Sequence, residues 1–201
     1  VHFEVRMPMV HSLTTAGSGT IHGEELPATA QLDLSVLGSG TISLTRLNEA
    51  TKLGLSVQGS GDIHLGEVSQ AEQIVLNVLG AGTAGIDRID QATSLQVLVA
   101  GSGNARCEQV NIAGTSTLNV TGSGELYASG KTERIAVAVN GSGEVVAHAL
   151  KTGGGKVLVT GSGDVSVNSD SPLEVLTTGS GTILNTGNAG TKGSRGVETD
   201  E

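Results

Sequence analysis

The chain has 201 residues and a formal net charge of −9, with 31 glycines, one Phe, one Tyr and no Trp. Glycine runs at about twice its usual share of roughly 7%, and the near absence of rings excludes an aromatic core, leaving Val, Leu, Ile and Ala to be buried. The glycines do not recur every third residue, which excludes collagen. No run approaches the roughly 20 apolar residues of a membrane span. An acidic chain without stacking rings is also a poor partner for nucleic acid.

The first element in chain order is a strand. Val1, Phe3, Val5, Met7 and Met9 alternate with polar residues, which predicts an entering or capping strand over residues 1–12. From 13 to 186 the chain repeats. Gly-Ser-Gly runs from Gly17 to Gly19, Gly38 to Gly40, Gly59 to Gly61, Gly101 to Gly103, Gly122 to Gly124, Gly141 to Gly143, Gly161 to Gly163 and Gly179 to Gly181, with Gly-Ala-Gly from Gly80 to Gly82. Successive triplets start 21, 21, 21, 21, 21, 19, 20 and 18 residues apart.

Aligned on the triplet, the copies share a period of two. Four residues before it stand Leu13, Leu34, Leu55, Leu76, Val97, Leu118, Val137, Val157 and Val175. Two before it stand Val36, Val57, Val78, Val99, Val120, Val139 and Val159, with Thr15 and Thr177 in the end copies. Four after its first glycine stand Ile21, Ile42, Ile63, Ala84, Ala105, Leu126, Val145, Val165 and Ile183. Polar residues fill the positions between, so one face points inward and the other into water, as in strands. β-branched residues dominate the inward set, which suits a pleated surface. One copy cannot bury its inward face alone; stacked copies can.

The expected fold is all-β: a single-stranded parallel β-helix, or β-solenoid, of about nine coils with about 21 residues per coil. At about 4.8 Å per coil the rod is on the order of 38 Å long. The triplet glycines read as structural corners, placed inward where a Cβ would crowd the next coil or require a backbone angle that only Gly adopts cheaply. A phosphate-binding loop would need a helix after the glycines, and none follows.

From about seven residues past the triplet the copies diverge, and the shortened ones lose residues there. Leu26, Leu47, Val68, Ile89, Val110 and Leu150 pin this variable arc to the core, and its charge makes it the expected contact surface for a protein or a surface glycan. The segment 187–201 is Gly, Thr, Ser and charge with a single Val, which reads as a polar C-terminal tail.

Little chemistry stands out. Glu125, Glu144 and Asp164 follow the triplet in consecutive copies, which makes them weak calcium candidates, with a solvated acidic face the plainer reading. His22 and His64 share a column two coils apart, roughly 9.6 Å, too far to share zinc. Cys107 reads as a small buried hydrophobe. Arg106 stands near Glu125 and Glu144 in this register as an exposed ion pair. No nucleophile, base and orienting group occur together, so no catalytic residue, metal ligand or cofactor site is assigned.

The recurring Val-x-Gly-Ser-Gly-[Asp/Glu/Thr]-[Ile/Val], led in by Val5-Arg6-Met7-Pro8-Met9-Val10-His11-Ser12-Leu13, resembles the bacterial auto-transporter adhesin head GIN domain family, a domain family of unknown function, over about residues 3 to 185. The resemblance implies a right-handed β-helix exported to the periplasm or cell surface, with no catalytic residues to carry over. The family's portion before the Met-Pro strand does not precede it here, so Val1 reads as an internal cut or a processed terminus. Two roles follow: an adhesin-like binding or display module, and, as the alternative, a structural subunit self-associating through its solenoid ends into filaments. A polysaccharide-active solenoid enzyme is the remotest reading.

Overall fold

The computed structural model describes residues 9–189 and the backbone of 191–194 and 197–199. Strand β1 (Ser12–Gly17) and β2 (Thr20–Leu26) form the first coil, and β3 (Thr29–Gly38) leads into the second. Then β4 (Thr41–Gly59), β5 (Asp62–Gly80), β6 (Thr83–Gly101) and β7 (Asn104–Gly122) each run 19 residues, a full turn of chain interrupted only by the last two residues of a triplet. β8 (Glu125–Gly141) has 17 residues. Later turns are split into β9 (Glu144–Thr152), β10 (Gly155–Gly161), β11 (Asp164–Ser169), β12 (Leu173–Gly179) and β13 (Thr182–Asn185). The short β14 (Thr191–Ser194) and β15 (Val197–Thr199) follow. All pair in parallel, giving a β-solenoid of about 8 turns without a helix among the described residues.

Equivalent residues lie directly over one another. Leu34 pairs with Leu55, Leu55 with Leu76, and the column continues through Val97, Leu118, Val137 and Val157 to Val175. The hydrogen-bond ladder continues around the triplet: the amide of Ser39 donates to the carbonyl of Gly17 and that of Ser60 to Gly38, both at 2.9 Å. Backbone polar groups are thus satisfied along the rod axis while side chains face in or out.

One coil shows how the core is filled. Leu53, Leu55, Val57, Ile63, Leu65, Val68 and Ala71 are buried, Ile74 opens the next coil over Leu53, and all join one continuous aliphatic cluster. Their spacing is two along the runs flanking the triplet and three through the arc. In the full-length coils the variable arc is strand, with a bend at each three-residue step. Its second inward column, Ala50, Ala71, Ala92 and Ile112, is invisible to a search for period two.

Length changes are absorbed in this arc. Between β7 and β8 the register shifts between Cys107 and Val110 and again between Ile112 and Thr115. Gln109 sits at the first shift with φ of 46°, the one non-glycine described with positive φ. Shortening frees backbone groups, and the inward column turns polar to meet them. Thr132 Oγ1 accepts from Ser116 Oγ at 3.0 Å and lies 3.1 Å from the Gly114 carbonyl. Thr152 Oγ1 bonds the Gly154 carbonyl at 3.0 Å.

The strand expected over 1–12 falls largely outside the described residues; Met9 and Val10 are not in a strand, and β1 begins at Ser12. At the other end β14 pairs with β12 and β15 with β13, so part of the segment read as a polar tail continues the ladder.

Candidate functional site

The triplets build a corner. The first glycine of each lies at the bend with φ between 98° at Gly17 and 134° at Gly80, where an L side chain is strained. It is half-buried or exposed, not fully inward as the alternation implies. The second glycine, from Gly40 onward, is buried against the coil below. The polar side chains of the adjoining arc are therefore presented on a stiff frame.

On that arc, Glu25, Arg46, Glu67 and Arg88 stack in register in successive coils, alternating in sign. Arg46 Nη2 donates to Glu67 Oε2 at 2.7 Å, and Asn48 Nδ2 to Glu25 Oε1 at 2.8 Å. Arg88 Nε turns instead to Asp90 Oδ1 at 2.6 Å, two residues along its own strand. That hydrogen bond raises the Arg88 pKa and lowers that of Asp90. His64 Nε2 lies 3.3 Å from Asp87 Oδ2. His22, Glu24, Glu25, Thr45, Arg46 and Glu67 line an open, shallow depression of about 450 Å³.

Arg106 does not reach the acidic column as its register suggests. Its Nε donates to Glu108 Oε1, the first cause of its raised pKa, and its guanidinium lies 4.9 Å from the centroid of the Tyr127 ring. Both partners are outward residues nearby, and the pair is fixed by packing on the ring.

Glu125, Glu144 and Asp164 do stack in consecutive coils, all exposed. Asp164 Oδ1 accepts from the Thr182 amide at 3.1 Å and from its hydroxyl. Among the described residues no group of three or more His, Cys, Asp or Glu is placed to hold a metal ion. His22 and His64 are separated by Ser43 in their column. Cys107 is wholly buried between Ile86 and Ala128, and burial pushes its thiol up to about 12.

The geometry is that of a displayed surface. Its charged side chains lie at the surface, some of them in ion pairs such as Arg46–Glu67 and Arg88–Asp90, the deep space is filled with aliphatic side chains, and the depressions are shallow. The sequence matches the family described as "Putative auto-transporter adhesin, head GIN domain" twice, over residues 1–115 and 91–189. The chain belongs to that family. The two matches overlap because its coils repeat, so a coil near the middle fits either placement. No curated protein and no solved structure matches the chain. Among the described residues no helix is long and apolar enough to cross a membrane.

Proposed function

We propose that this head GIN domain chain is an exported, non-catalytic, adhesin-like module that binds a protein or a surface glycan through its charged arc. The observation that carries the reading is the alternating Glu25, Arg46, Glu67 and Arg88 column, with Arg106 stacked on Tyr127 alongside it. Each of Arg46, Arg88 and Arg106 is oriented by a carboxylate, so its remaining donors are pre-set for hydroxyl, carbonyl or carboxylate acceptors on a partner. Family membership supports the exported, adhesive setting.

The test is binding of the purified chain to arrayed glycans and to host or neighbour surface proteins. Specific capture that is lost in Arg46→Ala, Arg88→Ala and Arg106→Ala, with folding intact, supports the arc. Capture indifferent to all three, or turnover of an arrayed glycan, discards the reading. The alternative of end-to-end filaments has one supporting observation: Leu13, Ile21 and Leu26 of the first coil are only half-buried. Electron microscopy across a concentration series tests it directly, since filaments would lengthen with concentration.

A further inference from the structure

The sheet that leads into the triplets has an outer face unlike the arc. Across five successive coils, from Gly54 to Asn140, its outward positions one, three and five residues before the first glycine carry no ionisable side chain. Leu79, 39% exposed, and the half-buried Leu98 at the centre stand there, and Leu37, Leu158 and Leu176 continue the same outward columns in the flanking coils at 40%, 40% and 50% exposed. In a chain of net charge −9 this is where copies can approach without repulsion.

We propose that this face docks a second copy of the chain, sheet against sheet, with the two rods antiparallel. The proposal goes beyond the arc reading and does not depend on it. Nine strands at about 4.8 Å, five residues wide at about 3.3 Å each, make a face of about 40 by 17 Å. That is close to 700 Å² per copy and about 1,400 Å² for a pair, within the range of stable specific interfaces. Leucine at Leu37 and Leu79 alternates up one column with Gln58 and Ala100, leaving gaps two coils apart that a facing leucine can enter.

Orientation follows from the ends of the face. A two-fold axis along the strand direction, through the middle coil, sets the Leu37 end of one rod beside the Leu158 end of the other, staggered by one column. It also sets Asp33 opposite Lys156, which already lies 2.6 Å from Glu174 in its own copy. Each Lys156 then stands between two carboxylates. Lys52 and Arg134, one step further out, fall on the rim and stay in water. With rods parallel, Asp33 and Lys156 would be at opposite ends.

The axis passes beside Leu98, so that residue meets its own counterpart. Analytical ultracentrifugation of the wild-type chain should show a concentration-dependent dimer, and Leu98→Lys should shift it to monomer with unchanged circular dichroism. Facing sheets stand about 10 Å apart, too far for a disulfide, so the cross-linker is a short bismaleimide: Leu98→Cys should join to its own counterpart, Cys107 being buried, while Leu37→Cys alone should not and Leu37→Cys combined with Thr160→Cys should. A monomer at every concentration, a dimer that survives Leu98→Lys, or a Leu37→Cys that cross-links to itself overturns the proposal.

Discussion

A Cβ built on Gly103 would lie 2.5 Å from the carbonyl oxygen of Gly82, the equivalent residue one coil below, and 2.6 Å from Val78 Cγ1. Backbone cannot yield there without opening the ladder, so the second glycine of the triplet sets the distance of closest approach between coils. Gly103→Ala should therefore destabilise by about 2–3 kcal/mol, and Gly103→Val by more, through overpacking. In the first coil nothing lies within 4 Å of the same atom on Gly19. Gly19→Ala should change stability by less than about 0.5 kcal/mol. Thermal unfolding of the pair checks the account: a drop of roughly 5–10 °C for Gly103→Ala is expected, and equal melting temperatures would refute it.

The charged column gives a prediction of a different size. Arg46 and Glu67 meet at 2.7 Å with side chains 48% and 28% exposed, so solvent screens the attraction. Arg46→Ala should cost under about 1 kcal/mol. Arg46→Glu places three carboxylates in one column one strand spacing apart and should cost more, with the excess disappearing at high salt. Urea unfolding at low and high ionic strength reads this. A cost that salt leaves unchanged would mean Arg46 acts through packing of its stem.

Much of the fold was legible because period two and a 21-residue repeat are both written in residue type: Leu34, Leu55 and Leu76 announce one column. The arc was less legible, since its bends advance by three and its second inward column uses Ala71, Ala92 and, further on, Thr132, which look like surface residues in a sequence. The site was less legible still. Arg106 has carboxylates available on its own strand and in later coils, and only the path of its side chain over Tyr127 decides for Glu108. The uncharged outer face could have been found by reading the outward columns as closely as the inward ones.

Cys107 makes stability depend on pH in a defined window. Burial alone raises its thiol from 9.0 to about 12. The folded chain holds this proton more tightly than the unfolded one, so the contribution is complete below pH 9 and is lost as pH rises toward 12. In that interval stability should fall by up to about 1.4 kcal/mol per pH unit. Cys107→Ala, in a column that already holds Ala128 and Ala147, should flatten the slope at a modest cost at neutral pH. The native thiol should also resist a disulfide reagent until the chain unfolds. A slope that persists in Cys107→Ala would place the titration elsewhere.

Asn185 occupies the inward column of Leu44, Leu65, Ile86 and Val167, yet it is polar and wholly buried. Its side chain is fully used. Oδ1 accepts from the amides of Ser169 at 2.9 Å and Gly187 at 3.2 Å, while Nδ2 donates to the carbonyls of Ala189 at 2.8 Å and Ser169 at 3.3 Å. It thus fastens the chain after β13 onto the coil below. Asn185→Ala removes four hydrogen bonds, of whose backbone partners only the Ser169 carbonyl keeps another, the Ala189 amide at 3.1 Å, and should cost about 3 kcal/mol at that coil. In a solenoid the loss stays local, because each coil leans only on its neighbours. Hydrogen exchange should lose protection over residues 164–189 and keep it over 62–122. Asn185→Leu separates bonding from filling: it restores an aliphatic side chain but none of the four hydrogen bonds. Loss of protection like that of Asn185→Ala is the expected result, whereas protection retained by Leu would make Asn185 a spacer and the hydrogen bonds incidental.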